Sequence, residues 1–336
     1  MVKYFCLFLL LVGAGISGLE ARVQIVWPTP NPAYANGEGP EAFIQPTISG
    51  RVESGLFGCI RNSGARFHEA LDLKPIARDR RGEATDPVVA VMNGVVVYVN
   101  RIAGNSGYGR YVVIEHRDVS PAIVTLYAHL SKIREEVRPG GVIRAGQRIG
   151  IMGRSAGGYT IPKERAHLHF EMGVWLSESF QEWYDWKGFG SKNTHGLFNG
   201  MNITGFDPLD FYDRFREGNV SDFTDYFRSI PVAYVVRVKS DRIPDYLRRY
   251  PFFFRGSMPT GGPAGWEIGF TATGIPKEWR ALADEPEQRQ NAQVIWHDAE
   301  LVNEYRCLRT VVIRGGNASI GGHTERSLQL MFGFRR

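Results

Sequence analysis

The residues best suited to chemistry in this chain lie in one short stretch, Ala166-His167-Leu168-His169-Phe170-Glu171-Met172. Side chains on a β-strand alternate between its two faces, so His167, His169 and Glu171 share one face while the apolar residues share the other. Two imidazoles on an apolar backing suit a catalytic zinc site, in which one histidine binds the ion and its neighbour handles a proton. A His-x-His pair also occurs on solvated strand faces, so the prediction depends on ligands from elsewhere in the chain.

Further candidate metal ligands lie upstream, in Phe67-His68-Glu69-Ala70-Leu71-Asp72. A histidine and an aspartate four residues apart can converge on one ion from a helical turn or from a strand-to-loop bend, and both are ordinary zinc ligands. For such a pair alone, a surface location is the simpler interpretation. A zinc-protease helix of the type H-E-x-x-H is disfavoured, because position 72 is aspartate and Pro75 interrupts a helix. Glu69 is therefore expected beside the site or at the surface.

The elements that must position these residues are predicted to be strands. Val88–Met92, Val95–Val99, Tyr111–His116 and Val124–His129 are rich in β-branched or alternating apolar residues. Asn93-Gly94, between the first two runs, predicts a tight two-residue hairpin. Short strands at close spacing predict a mainly β fold with a small antiparallel-sheet domain, and helical periodicity is scarce before residue 205.

Five groups of residues follow one another in a characteristic order: His68-x-x-x-Asp72, Gly107-Tyr108-Gly109 with Val113-x-x-His116, Tyr127-Ala128-His129-Leu130, Gly146-x-x-Ile149-Gly150, and His167-Leu168-His169-Phe170-Glu171. Together they resemble the lysostaphin/LytM family of peptidoglycan zinc endopeptidases. The resemblance covers about residues 60–172, and Asp207-Pro208-Leu209 is similar to that family's closing segment.

The resemblance implies a LytM-like catalytic domain with one Zn²⁺ per chain. His68, Asp72 and His169 would be the metal ligands, leaving a fourth position for water. His129 and His167 would be catalytic, one as the general base and the other stabilising the oxyanion or protonating the leaving amine. The sequence does not assign these two roles. Of the remaining histidines, His116 is expected to be structural. The other three are expected to lie at the surface: His195, His297 and His323.

The implied reaction is hydrolysis of a peptide bond in the stem peptides or cross-bridges of peptidoglycan. Two departures from the family leave the preferred bond open: no tyrosine occurs between Arg51 and Phe67, and Ala70 stands where the family usually has glycine. One alternative function is a non-catalytic wall-binding relative that activates another hydrolase. Another is a zinc peptidase that acts on proteins instead of wall.

The amino terminus predicts export. Lys3 precedes an apolar run and then small residues, which is typical of a signal peptide over residues 1–21. We therefore expect a secreted or periplasmic protein without a stable membrane span after cleavage. The formal charge of +5 favours anionic surfaces such as cell-wall polymers. Peptidoglycan is the expected partner and nucleic acid is not, because the Lys/Arg residues form no extended cluster interleaved with aromatics. The sequence does not indicate an oligomeric state.

The rest of the chain divides into three parts. Residues 22–56 are rich in Pro and Gly and predict an extended segment that wraps the surface, or alternatively an inhibitory segment across the groove. Residues 57–225 would form the metallopeptidase domain, with an aromatic insertion at 173–205 and short helices between Asp210 and Phe227. The insertion is expected to be a packed excursion, with sugar stacking as the alternative.

Residues 226–336 predict a β-rich or α+β C-terminal domain of unknown role. Strands are expected at Val232–Val238, Trp266–Thr271, Thr310–Ile313 and Ser327–Phe332. Two of the three cysteines lie beyond the signal peptide, Cys59 and Cys307. In an oxidising compartment they would form one disulfide joining the two halves, or remain two buried thiols.

Overall fold

The computed structural model describes residues 22–335, and the predicted signal peptide lies outside them. The strands, in chain order, are β1 (Gly58–Arg61), β2 (Arg66–His68), β3 (Leu71–Leu73), β4 (Pro87–Val89), β5 (Gly94–Asn100), β6 (Arg110–His116), β7 (Ile123–Leu130), β8 (Lys132–Ile133), β9 (Val142–Ile143), β10 (Arg148–Ile151), β11 (Leu168–Trp175), β12 (Ile203–Phe206), β13 (Tyr234–Val238), β14 (Gly265–Phe270), β15 (Pro276–Leu282), β16 (Ala292–His297), β17 (Val311–Arg314) and β18 (Asn317–Ile320). The helices are α1 (Phe180–Lys187), α2 (Pro208–Arg216), α3 (Phe223–Ser229), α4 (Asp245–Arg249), α5 (Ala299–Glu304) and α6 (Gly322–Phe332). Among these residues, no helix combines the length and the apolar composition that crossing a bilayer requires.

A seven-stranded antiparallel sheet forms the centre of the first unit. Its strand order is β12-β11-β7-β6-β5-β9, and β3 pairs with the first half of β11. Strands β7 and β11 are buried along their whole length, on both faces. The apolar face of β11 packs in the core as predicted, and its His-x-His face is covered as well. The mainly β fold is therefore confirmed.

A smaller sheet, β4-β10-β8, packs beside the central one, and it corrects the predicted hairpin at Asn93-Gly94. Strand β4 pairs with β10, whereas β5 pairs with β6 and β9, so the two runs belong to different sheets. Neither Asn93 nor Gly94 has the positive φ that a type I′ turn requires. Gly94 is needed for close approach instead, because a Cβ there would lie 2.7 Å from the carbonyl oxygen of Glu115.

The segment at residues 22–56 runs along the first unit without forming a long strand or helix. Its aromatic residues are anchored to the core: Trp27 stacks on Tyr34 at 4.3 Å between ring centroids, and both contact Tyr212 of α2. Backbone hydrogen bonds join Val26 to Val91. This arrangement agrees with the predicted surface-wrapping segment.

The aromatic insertion contributes to packing. Phe180, Trp183 and Tyr184 of α1 are buried, and the Trp183 indole Nε1 donates to Gln329 Oε1 of α6 at 3.1 Å. The insertion therefore joins the two units, as a packed excursion would. Two helices, α2 and α3, follow it in the range where short helices are predicted.

The C-terminal unit, residues 230–335, contains a four-stranded sheet in the order β15-β14-β13-β16, the hairpin β17-β18 and the helix α6. The strand predicted at Ser327–Phe332 is wrong, because these residues form the end of α6. A short apolar run fits a strand or a helix equally well. Here it forms a helix, which ends at Gly333 in a left-handed cap with φ 72°. Cys59 and Cys307 form a disulfide that links the β1-β2 hairpin to this unit.

Candidate metal centre

Strand pairing brings the three predicted ligands together. Asp72 of β3 lies directly opposite His169 of β11 in the antiparallel register. His68 ends β2, and the short turn to β3 returns its ring to the same place. The structure thus realises the strand-to-bend alternative for the His68/Asp72 pair. All three residues are buried, with at most 5% of their surface exposed.

The separations of the ligand atoms fit zinc. His68 Nε2, His169 Nδ1 and Asp72 Oδ1 lie 3.4, 3.2 and 3.1 Å from one another in pairs. Tetrahedral coordination with bonds of about 2.0–2.1 Å requires ligand atoms about 3.3–3.4 Å apart. Two imidazole nitrogens and a carboxylate oxygen are also a suitable donor set for a hydrolytic zinc ion. The residues therefore fit this metal in type and in spacing.

Hydrogen bonds orient the imidazoles of the four histidines around this centre. The Nδ1 atoms of His68, His129 and His167 donate to the backbone carbonyls of Leu56, Ser155 and Arg165, at 2.6, 2.8 and 2.7 Å. His169 is held at the other nitrogen, because its Nε2 donates to Glu171 Oε1 at 2.9 Å. A nitrogen that donates in this way carries the proton, so the second nitrogen of each ring presents its lone pair to the centre.

Glu171 continues the network behind His169. Burial raises the pKa of Glu171, while its hydrogen bonds to His169 and Tyr108 oppose that shift. Burial alone would lower the pKa of His169, but the hydrogen bonds to Asp72 and Glu171 outweigh it and raise the pKa to about 10. For Asp72, burial is likewise outweighed by the surrounding histidines, and its pKa falls well below the usual value. The centre thus favours an anionic aspartate, as metal binding requires, together with a protonated His169, whose Nδ1 proton a metal ion must displace.

His129 and His167 flank the ligand group. Their ring centroids are 4.8 Å apart, and His167 Nε2 is 3.5 Å from Asp72 Oδ1. Burial lowers the pKa of both residues, and the neighbouring histidines lower that of His129 further. Both are therefore neutral at pH 7 and able to accept a proton.

The backbone of His129 is unusual. Its φ is 60°, in the left-handed region that residues with a side chain adopt at a cost of about 1–3 kcal/mol. The pairing of β6 with β7 also shifts register between Arg110 and Val112. These two features turn the His129 side chain at the end of β7 toward the centre. Strain at this residue is consistent with a functional role.

Sequence reasoning missed Arg61, the last residue of β1. Its Nη2 lies 2.8 Å from His68 Nε2 and 2.5 Å from Asp72 Oδ2. No sequence motif indicates this residue, because the contact depends on how the β1-β2 hairpin folds over β3. Glu171 was placed on the correct face, but its hydrogen bond to His169 was not anticipated.

The other histidines lie outside the centre. His116 is buried, as expected for a structural residue, and contacts Asn93 O and Thr125 Oγ1 at 2.7 and 2.8 Å. His195 is only partly exposed, since its Nδ1 contacts the Tyr111 hydroxyl at 2.6 Å. His323 is partly buried in the C-terminal unit, with its Nε2 atom out of contact with solvent, and burial lowers its pKa to about 3. It is therefore less exposed than the expected surface position.

An open groove of about 370 Å³ lies near the two flanking histidines, which do not line it themselves; one of its wall residues, Gly153, forms a β-bridge with His167. Its walls include Arg110, Ser131, Ser155 and Tyr159. The carbonyl of Ser155 accepts the hydrogen bond from His129. An extended peptide backbone is slim enough to lie in such a groove with a peptide bond near the centre.

Comparisons with known proteins give a matching family model and several similar solved structures. Residues 67–179 match the family model described as Peptidase family M23. Solved structures to which the chain is similar include a zinc-containing peptidase from Vibrio cholerae (28% identity, 45% of this chain and 36% of that chain, TM-score 0.29). Another is the lysostaphin catalytic domain from Staphylococcus simulans (24% identity, 47% of this chain and 87% of that chain, TM-score 0.29). A third is the catalytic domain of the M23 protein EnpA from Enterococcus faecalis (27% identity, 39% of this chain and 79% of that chain, TM-score 0.25).

The chain spans only about a third of the length of the Vibrio cholerae protein. No curated protein matches it. The match to the family model covers residues 67–179, which contain all five predicted site residues.

Proposed function

We propose that this chain is a zinc-dependent endopeptidase that hydrolyses peptide bonds in peptidoglycan stem peptides or cross-bridges, and the match of residues 67–179 to the family model of Peptidase family M23 supports this proposal. One observation carries the proposal: three buried ligand atoms lie at tetrahedral separations beside two neutral histidines. A surface group of the same residue types would lack both the burial and the fixed ring orientations.

The ligands in this proposal are His68 through Nε2, His169 through Nδ1 and Asp72 through its carboxylate. When bound there, zinc would supply Lewis acidity and lower the pKa of a coordinated water to about 7. Glu171 would hold the His169 ring in place and increase its basicity through the hydrogen bond at Nε2. The orientation of the His68 ring is fixed in the same way by Leu56 O.

His129 and His167 would move the protons of the reaction through their free Nε2 atoms. One accepts a proton from the attacking water at Nε2, and the other, once protonated at Nε2, donates to the carbonyl oxygen or to the departing amine. Because their Nδ1 atoms are held by backbone carbonyls, neither ring needs to rotate during turnover. This preorganisation supports an enzymatic role over a purely wall-binding one.

Export to the cell envelope is part of the proposal. The predicted signal peptide supports it, and the Cys59–Cys307 disulfide is typical of an oxidising compartment. The formal charge of +5 favours association with an anionic wall.

The test is mass spectrometry of muropeptides released from purified peptidoglycan by the zinc-loaded protein, with casein as the alternative substrate. We expect new amine and carboxyl termini within the peptides of the wall and intact casein. Cleavage of casein with intact wall would instead establish a peptidase acting on proteins. If neither substrate is cleaved and the protein still binds wall, the non-catalytic alternative replaces the proposal.

A further inference from the structure

The open groove of about 370 Å³ is connected to the candidate metal centre by two of its wall residues. The carbonyl of Ser155 accepts the hydrogen bond from His129 Nδ1, and Gly153 forms a β-bridge with His167. An extended peptide advances about 3.3–3.6 Å per residue. A peptide whose scissile bond lies at the centre therefore reaches this groove with the residues next to that bond.

Arg110 lines the groove, and its backbone is held beside His129. It begins β6 and lies opposite Leu130 of β7, the residue that follows His129. Its backbone amide donates to Ser155 Oγ at 2.9 Å, and its side-chain Nε donates to the carbonyl of Arg101 at 3.1 Å. The backbone and the inner end of the guanidinium are therefore fixed next to the residues that orient a flanking histidine.

The outer end of the Arg110 guanidinium has donors to spare. Among residues 22–335, neither of its Nη atoms has a hydrogen-bond or ion-pair partner, and the residue is partly exposed. A guanidinium presents its N–H donors in a fixed planar fork, and the bond to Arg101 uses only the one at Nε. The Nη donors are therefore available to a ligand in the groove.

The second arginine of the groove is already paired. Arg154 donates from Nε and Nη2 to the two carboxylate oxygens of Glu83, both at 2.9 Å, and from Nη1 to the carbonyl of Ile161 at 3.1 Å. Glu83 is the only acidic side chain among the described residues that line the groove. The groove walls therefore balance the charge of Arg154 and leave that of Arg110 uncompensated.

An uncompensated guanidinium in a peptide groove is suited to a carboxylate. Arginine binds carboxylates through two parallel hydrogen bonds, and such charge-assisted pairs are stronger than neutral ones. Peptidoglycan stem peptides carry free carboxylates along their length, whereas a cross-bridge made of glycine carries none. The chemistry of Arg110 therefore favours one of the two substrate classes that the proposed function includes.

We propose that Arg110 is a specificity-determining residue that binds a free carboxylate of a stem peptide, so that stem peptides are cleaved in preference to uncharged glycine cross-bridges; this inference rests on the proposed function. The carboxylate accepts hydrogen bonds from the Nη atoms, away from the bond that breaks. Such a contact stabilises the bound substrate and the transition state equally, so it lowers KM and leaves kcat unchanged.

The experiment compares zinc-loaded wild type with Arg110→Gln, Arg110→Lys and the matched control Arg138→Gln. Arg138 is exposed and does not line the groove, so the control removes an equal charge elsewhere. The substrates are a synthetic cross-linked stem peptide, versions in which each free carboxylate is replaced in turn by a primary carboxamide, and pentaglycine blocked at both ends. Bound zinc, kcat, KM and calorimetric affinity for the cleavage products are measured.

We expect one carboxamide replacement to raise the KM of wild type about 10- to 100-fold and to weaken product binding, because a charge-assisted pair is lost. Arg110→Gln should keep its zinc and its kcat, show the same rise in KM on the unmodified peptide, and show no further rise on that carboxamide version. Arg110→Lys should recover part of the loss, and Arg138→Gln should resemble wild type.

The substrate comparison on wild type needs no variant, so the inference can be overturned even if Arg110→Gln does not fold. Equal KM values for the unmodified peptide and all its carboxamide versions would overturn it, as would faster cleavage of the blocked pentaglycine than of the stem peptide. Either result leaves the endopeptidase assignment in place. Failure of wild type to cleave any of these peptides or purified peptidoglycan would refute the proposed function instead.

Discussion

The central sheet and the C-terminal unit both have aromatic cores, but they bury ionisable side chains in different ways. In the C-terminal unit the buried cation Lys277 donates to the carbonyl of Ile230, and His323 is enclosed with its Nε2 unpartnered. In the central sheet, Asp72 and four histidines are enclosed together with their free atoms directed at one point. A single buried polar group reduces stability and indicates no function by itself. Several buried ionisable groups that converge on one place are typical of a reactive site.

The backbone conformations of the two units differ in the same way. His129 adopts a left-handed conformation near the end of β7, a central strand of the well-packed sheet, next to a register shift. In the C-terminal unit, the residue with a side chain and positive φ is Arg309, in a loop after a short helical turn, where such a conformation is ordinary. Strain inside a sheet persists only where the surrounding structure enforces it, and here it aims a histidine at the centre.

The largest effect is expected from removing a ligand in the central sheet. His169→Ala should lose bound zinc and more than about 1,000-fold in activity, because only two ligands remain. His297→Ala, in the C-terminal unit, is the matched control and should retain both. Zinc content by mass spectrometry and muropeptide release measure the result. Equal zinc in the His169 variant and wild type would refute the ligand assignment.

A somewhat smaller effect is expected at the flanking pair. His129→Ala and His167→Ala should each keep one zinc per chain and lose about 100- to 10,000-fold in kcat, since proton transfer is removed while the ligands stay. Steady-state kinetics together with zinc content separates these variants from His169→Ala. Loss of zinc from both variants would instead place them among the ligands.

A Glu171 variant tests whether residues that hydrogen-bond to the metal ligands affect zinc affinity. Glu171→Gln should weaken zinc affinity about 10- to 100-fold, because the carboxylate that orients the His169 ring is replaced by a neutral amide. Competition with a chelator measures this affinity. The exposed Glu164→Gln is the control for loss of one negative charge and should leave affinity unchanged. Equal affinities in the two variants would show that Glu171 has only a packing role.

The smallest effect concerns His323 of the C-terminal unit. Its folded pKa of about 3 lies below the unfolded value, so its contribution to stability is present above pH 6.5 and lost as the pH falls toward 3. The free energy of unfolding should then fall by up to about 1.4 kcal/mol per pH unit from this residue. Denaturant titrations at pH 7 and pH 5 should show a shallower fall for His323→Asn. An identical fall in wild type and variant would contradict the buried, neutral assignment.

The sequence predicts the five site residues because their chemistry is tied to a strand period and to a recognisable order along the chain. It predicts β6, β7 and β11 for the same reason, since long alternating runs leave little ambiguity. Asn93-Gly94 misleads because the turn signal is local, whereas the choice of partner strand is decided by packing of distant segments. Ser327–Phe332 misleads because a short apolar run has no decisive period.

Arg61 lies beyond sequence reasoning for a further reason. Its position at the centre depends on a hairpin fixed by a disulfide spanning 248 residues and by the aromatic ring of Tyr305. A pairing of such long range leaves no local pattern around the arginine. The same holds for Glu171, whose hydrogen bond to His169 follows from ring orientation and not from spacing alone.

Anomalous diffraction at the zinc edge from crystals of the zinc-loaded protein tests the central claim most directly. The account predicts one ion per chain, bonded at about 2.0–2.2 Å to His68 Nε2, His169 Nδ1 and the Asp72 carboxylate, with no fourth protein ligand. An ion bound elsewhere, or one whose remaining position is closed by His129 or His167, would contradict it.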